Sequence, residues 1–337
     1  MQWTNGPRRA ALLICSLGLI LLATDCGGAY DAQASTNSPA TTPPAATPTL
    51  ALAGDVAAPG TLTLAQIQAL PATTQTVSFS SGSGPQTHTY IGASVWTLLN
   101  QAGIAVNANV HNDIVGKYVV ATGNDGYRAV FAMGELSPDF GNRGNQVAYA
   151  EAINGARVAL SSDGPMRVTA PGDAKGGRYI SGIVKLEVRT ATSAASGTGG
   201  GVSTSFQLGG AVERPATFNL AALQALPAVT RTVGTNRYTG VNLWDLINSA
   251  GIRANAAVKN DLLDFYLVAT GSDGYRAVVS LAEISPDFGN QPHIVAYAMN
   301  GTPLTTSGFA RLMVSGDTKA GRQVSNLVSL EILSAAR

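Results

Sequence analysis

The sequence ATGNDGYRAV at 121–130 returns almost unchanged as ATGSDGYRAV at 269–278. Each copy is followed by the same six residues, SPDFGN, at 137–142 and at 285–290. The offset is 148 positions in both cases, since 269 minus 121 and 285 minus 137 agree. A repeat of this length is too long for a solenoid unit and suits a whole domain. The sequence therefore predicts two copies of one domain, and the features they share are the first place to look for function.

The composition of the chain argues against a nucleic-acid partner. The 337 residues carry a formal net charge of +1, and only 12% of them are charged. No run of Lys and Arg forms the basic stripe that a nucleic-acid binder usually shows. The 38 glycines suit a turn-rich protein that contains β-structure. We expect no nucleic acid among the partners.

The N-terminus has the features of an export signal. Arg8 and Arg9 precede an apolar run at 10–23. This run is too short for a membrane span, which needs about 20 residues, and it suits the core of a signal peptide. The sequence predicts that the protein is exported to the periplasm or cell envelope.

The residues that follow the apolar run resemble a bacterial lipoprotein signal. In LLATDCG at 21–27, Cys26 stands where such a signal places the cysteine that is lipidated and becomes the new N-terminus. Asp25 departs from the small residue that this family prefers there. The resemblance implies a lipid anchor in the membrane and leaves room for a membrane protein partner. The alternative is ordinary cleavage near Ala23, with Cys26 as a free thiol.

Composition divides the whole chain into five segments. Residues 1–25 are the predicted signal peptide, and 26–49, rich in Ala, Thr, Pro and Ser, are a predicted disordered tether. Two domains are expected at 50–189 and 206–337, joined by a flexible Gly/Ser/Thr linker at 190–205.

Each copy shows the same order of predicted elements. Thr63 and Asn219 are predicted to cap a short helix, and the apolar spacing at 94–103 predicts a second helix that glycine ends. Asp-Gly between apolar runs is a strong hairpin signal. Strands and helices follow one another without regular βαβ winding, so the predicted fold class is α+β.

Several motifs in this order resemble a known family. The chain has AGI at 102–104, DGY at 125–127, PMRVTAPGD at 165–173 and GGRYI at 176–180. Their sequence and spacing resemble the sulfite-oxidase-type molybdopterin-binding domain, and the small exported members described as pterin-binding proteins in particular. The resemblance implies layered mixed sheets in two tandem domains, with a ligand cleft along loops at one edge. It also implies a pterin or molybdopterin-like ligand whose phosphate is held by basic side chains.

One part of the family pattern is missing. The enzymes of this family hold molybdenum through a cysteine thiolate, but both cysteines of the chain, Cys15 and Cys26, lie in the leader. A soft metal centre of this kind needs a thiolate ligand. We therefore predict no metal site and no catalytic residue.

Ten residues are candidate ligand contacts, because each copy places them on a turn or a glycine-rich loop. They are Tyr127, Arg128, Arg167, Lys175 and Arg178 in the first copy, and Tyr275, Arg276, Arg311, Lys319 and Arg322 in the second. Lysine and arginine would supply charge and fork geometry for a phosphate or a pterin edge, and tyrosine could stack on a flat ring. The alternative is that Arg167 and Arg311 pair with Asp173 and Asp317, or with Glu135 and Glu283, and only join loops, and that the tyrosines only pack.

Two acidic pairs raise the question of acid–base catalysis. Glu135 with Asp139, and Glu283 with Asp287, equally suit the end of a helix before a loop. No histidine is repeated beside them. A glutamate could also hydrogen-bond the amino group of a pterin.

Three functions remain open from the sequence. The leading one is an exported binding protein that holds a pterin or molybdopterin-like ligand without redox catalysis. The second is a structural or interaction module that kept the fold and lost the ligand. The third is an oxidoreductase that carries a molybdenum cofactor without a protein thiolate.

Overall fold

The computed structural model describes residues 47–336. The predicted leader, Cys26 and the predicted tether up to residue 46 lie outside the described residues, so what the sequence says of them stays a prediction. Among residues 47–336, no helix is both long and apolar enough to cross a membrane.

The first repeat, residues 47–190, is built from short elements. In chain order they are β1 (Thr49–Gly54), β2 (Gly60–Thr63), α1 (Leu64–Gln68), β3 (Ala72–Ser81), β4 (Gly84–Ser94), α2 (Val95–Gln101), β5 (Lys117–Gly123), β6 (Arg128–Ala132), α3 (Met133–Leu136), β7 (Gln146–Ile153), β8 (Ala156–Ala159), β9 (Arg167–Val168) and β10 (Ile183–Thr190).

The second repeat, residues 205–336, contains the same elements in the same order. They are β11 (Ser205–Gly210), β12 (Ala216–Asn219), α4 (Leu220–Gln224), β13 (Ala228–Val233), β14 (Asn236–Asn242), α5 (Leu243–Ser249), β15 (Phe265–Gly271), β16 (Arg276–Ser280), α6 (Leu281–Ile284), β17 (Ile294–Met299), β18 (Thr302–Pro303), β19 (Arg311–Met313) and β20 (Leu327–Ser334).

Each repeat forms two sheets with matching strand orders. Sheet 1A has the order β2-β1-β10-β5-β6 and sheet 2A the order β12-β11-β20-β15-β16. Sheet 1B has the order β3-β4-β7-β8, with β9 on β7, and sheet 2B repeats it as β13-β14-β17-β18, with β19 on β17. β1 pairs parallel with β10, whereas the other pairs of sheet 1A are antiparallel. The prediction of a mixed, sheet-rich fold with few helices is confirmed.

The short helices begin where the sequence places their caps. Thr63 accepts a hydrogen bond from the Gln66 amide in a capping box, and the Ser94 side chain accepts one from the Thr97 amide at the start of α2. α2 buries Val95, Leu98 and Leu99. Trp96 is partly buried against the same core.

β5 and β15, each the fourth strand of its A sheet, are buried on both faces, because the two repeats pack against each other. Alternate residues of a strand point to opposite faces. Val119 therefore faces the core of the first repeat, while Tyr118 and Val120 belong to a separate apolar cluster with Tyr266 and Val268 of the second. The Tyr118 and Tyr266 rings stack with 4.3 Å between their centroids. Both repeats belong to one compact unit.

The recurring SPDFGN loops exchange a phenylalanine between the repeats. Phe288 of the second repeat packs in the core of the first, and Phe140 of the first packs in the core of the second. A Cβ on Gly177 would lie 2.6 Å from the Phe288 ring, and one on Gly321 would lie 2.5 Å from the Phe140 ring. Only glycine permits this approach.

The segment at 191–204, predicted as a flexible linker, contains no helix or strand but is held by the second repeat. The amides of Thr198 and Gly200 both donate to the carbonyl of Ser272 at 2.8 Å. The Arg276 guanidinium donates to the carbonyl of Ala195 at 2.6 Å. The segment is thus anchored at several points along its length.

Candidate functional site

The loops that the sequence singled out for basic residues contact the opposite repeat. In the first repeat, the amides of Ala174 and Lys175 donate to the carbonyls of Phe288 and Asp287, at 2.9 and 3.0 Å. The second repeat makes the reciprocal bonds, from Thr318 and Lys319 to the SPDFGN loop of the first. Each basic loop is therefore held by backbone hydrogen bonds to the SPDFGN loop of the opposite repeat.

Arg178 lies in a buried ion-pair network. Its guanidinium binds both oxygens of Asp173, at 2.8 and 2.7 Å, and donates to Glu135 at 2.5 Å. The side chain is 3% exposed. Ser280 of the second repeat donates to Glu135 at 3.3 Å, so this network also reaches across the interface.

Arg322 forms the equivalent network in the second repeat. It binds both oxygens of Asp317 and donates to Glu283 at 2.8 Å, and its side chain is fully buried. His293 contacts the other oxygen of Glu283 at 3.2 Å. The sequence left open that Arg167 and Arg311 pair with these carboxylates. In the structure Arg178 and Arg322 pair with them instead.

The pKa values of the two buried glutamates shift in opposite directions. Burial raises the pKa of Glu135 to about 7, with Glu283 and Asp173 adding to the rise and Arg178 opposing it. Burial also acts to raise the pKa of Glu283, but Arg322, His293 and Arg143 outweigh it and leave that pKa well below its usual range. Neither glutamate faces a cleft that the structure describes, so the geometry offers them no substrate.

Three further candidates also have partners within the protein. Arg128 pairs with Asp264 of the second repeat at 2.8 Å. Arg276 holds the segment at 191–204, as described above, and Arg311 donates to Gln323 at 3.2 Å. These arginines lie outside the two larger clefts.

The first cleft, of about 540 Å³, lies where the first repeat meets the second. It brings together three of the ten candidates, Tyr127, Arg167 and Lys175. No ligand contact was predicted for its other lining side chains, which include Phe79, Tyr179, Lys259, Asn260 and Phe288.

The inner wall of the first cleft is a stack of aromatic rings with a guanidinium beside them. The rings of Phe79 and Tyr179 stack at 4.0 Å between centroids. The Arg167 guanidinium lies 5.3 Å from the Tyr90 ring and 5.7 Å from the Tyr179 ring. Arg167 also pairs with Asp163 and donates to the Tyr90 hydroxyl at 2.8 Å.

Two buried polar atoms on this wall have no protein partner. The Tyr179 hydroxyl and the Arg167 Nε accept or donate no hydrogen bond within the described residues. Tyr179 is 4% exposed and Arg167 is 6% exposed. Burial raises the pKa of Tyr179, so its hydroxyl keeps its proton at neutral pH. Buried polar groups are normally satisfied, so each of these atoms keeps the capacity for one hydrogen bond, although the protein covers both in this structure.

Tyr127 and the equivalent Tyr275 each hydrogen-bond to both repeats. Its hydroxyl donates to the carbonyl of Gly177 at 2.8 Å and accepts from the Asn260 amide at 2.8 Å. Tyr275 binds the Gly321 carbonyl and Asn112 in the same way. Each tyrosine therefore joins the repeats through its hydroxyl.

The second cleft, of about 740 Å³, occupies the equivalent position on the other side of the interface. Two candidates, Tyr275 and Lys319, line it together with Asn112, Phe140 and Gln323. Asn112 and Asn260 lie 148 positions apart, as do Phe140 and Phe288. Their recurrence at this offset is the signal that could have identified them from the sequence.

The donor atoms present do not fit a molybdenum centre. Residues 47–336 contain no cysteine, and within them no group of three His, Cys, Asp or Glu side chains could hold a metal ion. The first cleft has a volume in the range of small-molecule sites, and its lining includes aromatic and cationic side chains.

Residues 230–336 match the family described as the oxidoreductase molybdopterin binding domain. The chain is also similar to the solved structure of the sulfane dehydrogenase SoxCD from Paracoccus pantotrophus, with 12% identity and a TM-score of 0.35, over 83% of this chain and 77% of that one. Comparison with curated proteins gave no match. The resemblance stated from the sequence is thus confirmed for residues 230–336.

Proposed function

We propose that this is an exported, lipid-anchored protein whose two tandem domains of molybdopterin-binding type bind a pterin or molybdopterin-like ligand without redox catalysis. The observation that carries the proposal is the wall of the first cleft. There the Tyr179 hydroxyl and the Arg167 Nε are buried and lack protein partners, beside stacked aromatic rings.

The chemistry of this wall suits a flat heterocycle that carries an anion. Aromatic faces offer stacking, and guanidinium and ammonium groups attract phosphate or carboxylate. The family match lies in the second repeat, at residues 230–336, and it bears on the first cleft because the first repeat has the same order of elements.

A binding role without catalysis follows from the residues at hand. Molybdenum in this family is held by a thiolate, and the domains have none. Glu135 and Glu283, the strongest acid–base candidates, are each bound to an arginine away from the clefts.

The direct test is a titration of the purified protein with oxidised and reduced pterins, followed by ligand fluorescence. Saturable binding is expected. The test variant is Tyr179→Phe, which removes one polar atom from the wall and should weaken binding. Absence of binding at high micromolar concentration would contradict the proposal and favour the ligand-free interaction module. That alternative has one specific observation behind it, the internal pairing of Arg178 and Arg322.

Two further measurements test the remaining parts. Stoichiometric molybdenum in protein purified from its native host would overturn the absence of a metal centre. Mass spectrometry of the mature N-terminus tests the lipid anchor: a diacylated Cys26 is expected, lost in Cys26→Ser, and an unmodified N-terminus would contradict it. Through such an anchor the protein could present its ligand to a membrane protein partner.

A further inference from the structure

The two clefts occupy equivalent positions, but one wall differs. β3 has 10 residues and its counterpart β13 has 6, so the β3–β4 hairpin reaches further than its equivalent. The extra residues place Phe79 and Ser80 on the wall of the first cleft. The Ser80 amide donates to the Ala174 carbonyl at 2.8 Å, which fixes the hairpin to the basic loop.

The second cleft has a different lining in the same region. Gly201, from the segment that joins the repeats, and Ser272 line it instead. The Ser272 hydroxyl donates to the Gly201 carbonyl at 2.6 Å, so the joining segment is fixed against this cleft. Where the first cleft has Tyr179, the second has Gln323, and its amide oxygen is already bound by Arg311.

The charged residues of the two clefts differ as well. The first cleft is lined by three cations, Arg167, Lys175 and Lys259, and one carboxylate, Asp125. The second is lined by one lysine, Lys319, and two carboxylates, with a histidine in place of Lys259. Arg167 and Lys175 are each paired with a carboxylate, Asp163 and Asp287, so the cation that distinguishes the first cleft is Lys259, which can attract the anionic group of a ligand.

Lys259 belongs to the second repeat, yet it lines the cleft of the first. Unlike Lys175, which pairs with Asp287, Lys259 forms no ion pair within residues 47–336. Its neighbour Asn260 donates to the Tyr127 hydroxyl at 2.8 Å, and this bond fixes the loop at the cleft. His111 precedes Asn112 in the equivalent loop at the second cleft, 148 positions earlier.

We infer that the chain has one ligand site rather than two, and that the site is composite. The first repeat supplies the aromatic wall of the first cleft, and Lys259 of the second repeat contacts the anionic group of a planar heterocyclic ligand. The second cleft keeps the packing of the interface and takes no such ligand. This inference rests on the proposed function and names the site and the charge of its ligand.

The test compares two fluorescent probes that share one ring system, neutral neopterin and neopterin monophosphate. Both are titrated into the full-length protein, and the number of sites is measured with the affinity. Lys259→Gln is the test variant. His111→Gln is the matched control, because it makes the same exchange at the equivalent position of the other cleft.

One site per chain is expected. Because Lys259 is exposed to solvent, its loss should weaken binding of the phosphate probe by about two- to fivefold and leave neopterin unchanged. His111→Gln should change neither affinity. Two equal sites, equal effects of the two variants, or an equal loss for both probes would overturn the inference while the proposed function stands. If neither probe binds the unaltered protein, the proposed function and this inference both fail.

Discussion

The Lys175 ammonium lies 2.7 Å from the Asp287 carboxylate, and this ion pair joins the two repeats. The pair is repeated with the roles exchanged, since Lys319 lies 2.8 Å from Asp139. An interface in which each side contributes the same patch to the other is the kind that a symmetric dimer forms. Here one chain supplies both patches, because it carries the sequence twice.

Loss of the Lys175–Asp287 pair should have a small effect on stability. Both side chains are more than half exposed, 56% and 60%, and exposed pairs contribute on the order of 0.2–1 kcal/mol. We expect the coupling energy from a double-mutant cycle of Lys175→Ala and Asp287→Ala to fall in that range and to shrink in high salt. A coupling of several kcal/mol would contradict this account of the pair.

Loss of the buried Arg178 should have a much larger effect. Arg178→Met leaves Glu135 and Asp173 as buried carboxylates without a cation, and breaking a buried pair in this way costs about 3–5 kcal/mol. The measurement is the free energy of unfolding in urea, with Lys175→Met as the exposed control.

A second variant separates lost charge from lost packing. Adding Glu135→Gln and Asp173→Asn to Arg178→Met removes the uncompensated carboxylates, so the triple variant should be more stable than the single one. If the triple variant is less stable than Arg178→Met, the ion network is not the cause of the loss.

The local elements of the fold could be predicted from the sequence because short-range chemistry decides them. The Thr63 cap needs only Gln66 three residues later, and the buried face of α2 follows from its helical spacing. The internal repeat gave the matching order of elements in both halves.

What the sequence could not give is how the halves meet. The run Tyr118 to Ala121 predicts a buried strand, but nothing local says that its outer face covers a second copy of itself. For the same reason, the sequence alone could not distinguish basic residues that form internal ion pairs from basic residues that line a cleft. Only their long-range partners separate the buried Arg178 from Arg167 on the wall of the first cleft.

The first repeat should not stay monomeric when it is expressed alone. Residues 47–190 would expose Tyr118 and Val120 and lose Phe288 from their core. We expect this fragment to dimerise through the exposed face or to aggregate, as measured by light scattering after size exclusion. Val120→Glu in the fragment should suppress dimer formation. A monomer with native-like aromatic circular dichroism would show that the interface is dispensable.

Stability should fall as pH rises through the range in which Glu135 titrates. Its pKa is raised from 4.5 to about 7 in the folded protein, so between these values the folded state binds more protons than the unfolded state. The contribution of Glu135 to the free energy of unfolding therefore decreases with rising pH in this window and levels off above pH 7, whereas burial lowers the pKa of His293, whose contribution has the opposite sign. Glu135→Gln cannot titrate and should remove this decline, by at most on the order of 3 kcal/mol. Identical pH profiles for the variant and the unaltered protein would contradict the raised pKa.

Replacement of Tyr179 by phenylalanine should affect the ligand and spare the fold. The Tyr179 hydroxyl is buried without a protein partner, so its removal leaves no other group unsatisfied and the free energy of unfolding should stay the same or increase. A bound pterin that hydrogen-bonds this hydroxyl would lose about 0.5–1.5 kcal/mol of affinity, which pterin fluorescence can measure. Tyr127→Phe is the contrasting variant, because its hydroxyl bonds Gly177 and Asn260 and its loss should lower stability. If Tyr179→Phe lowers stability and leaves pterin affinity unchanged, the hydroxyl serves the fold, and the first cleft loses the polar atom on which its assignment depends.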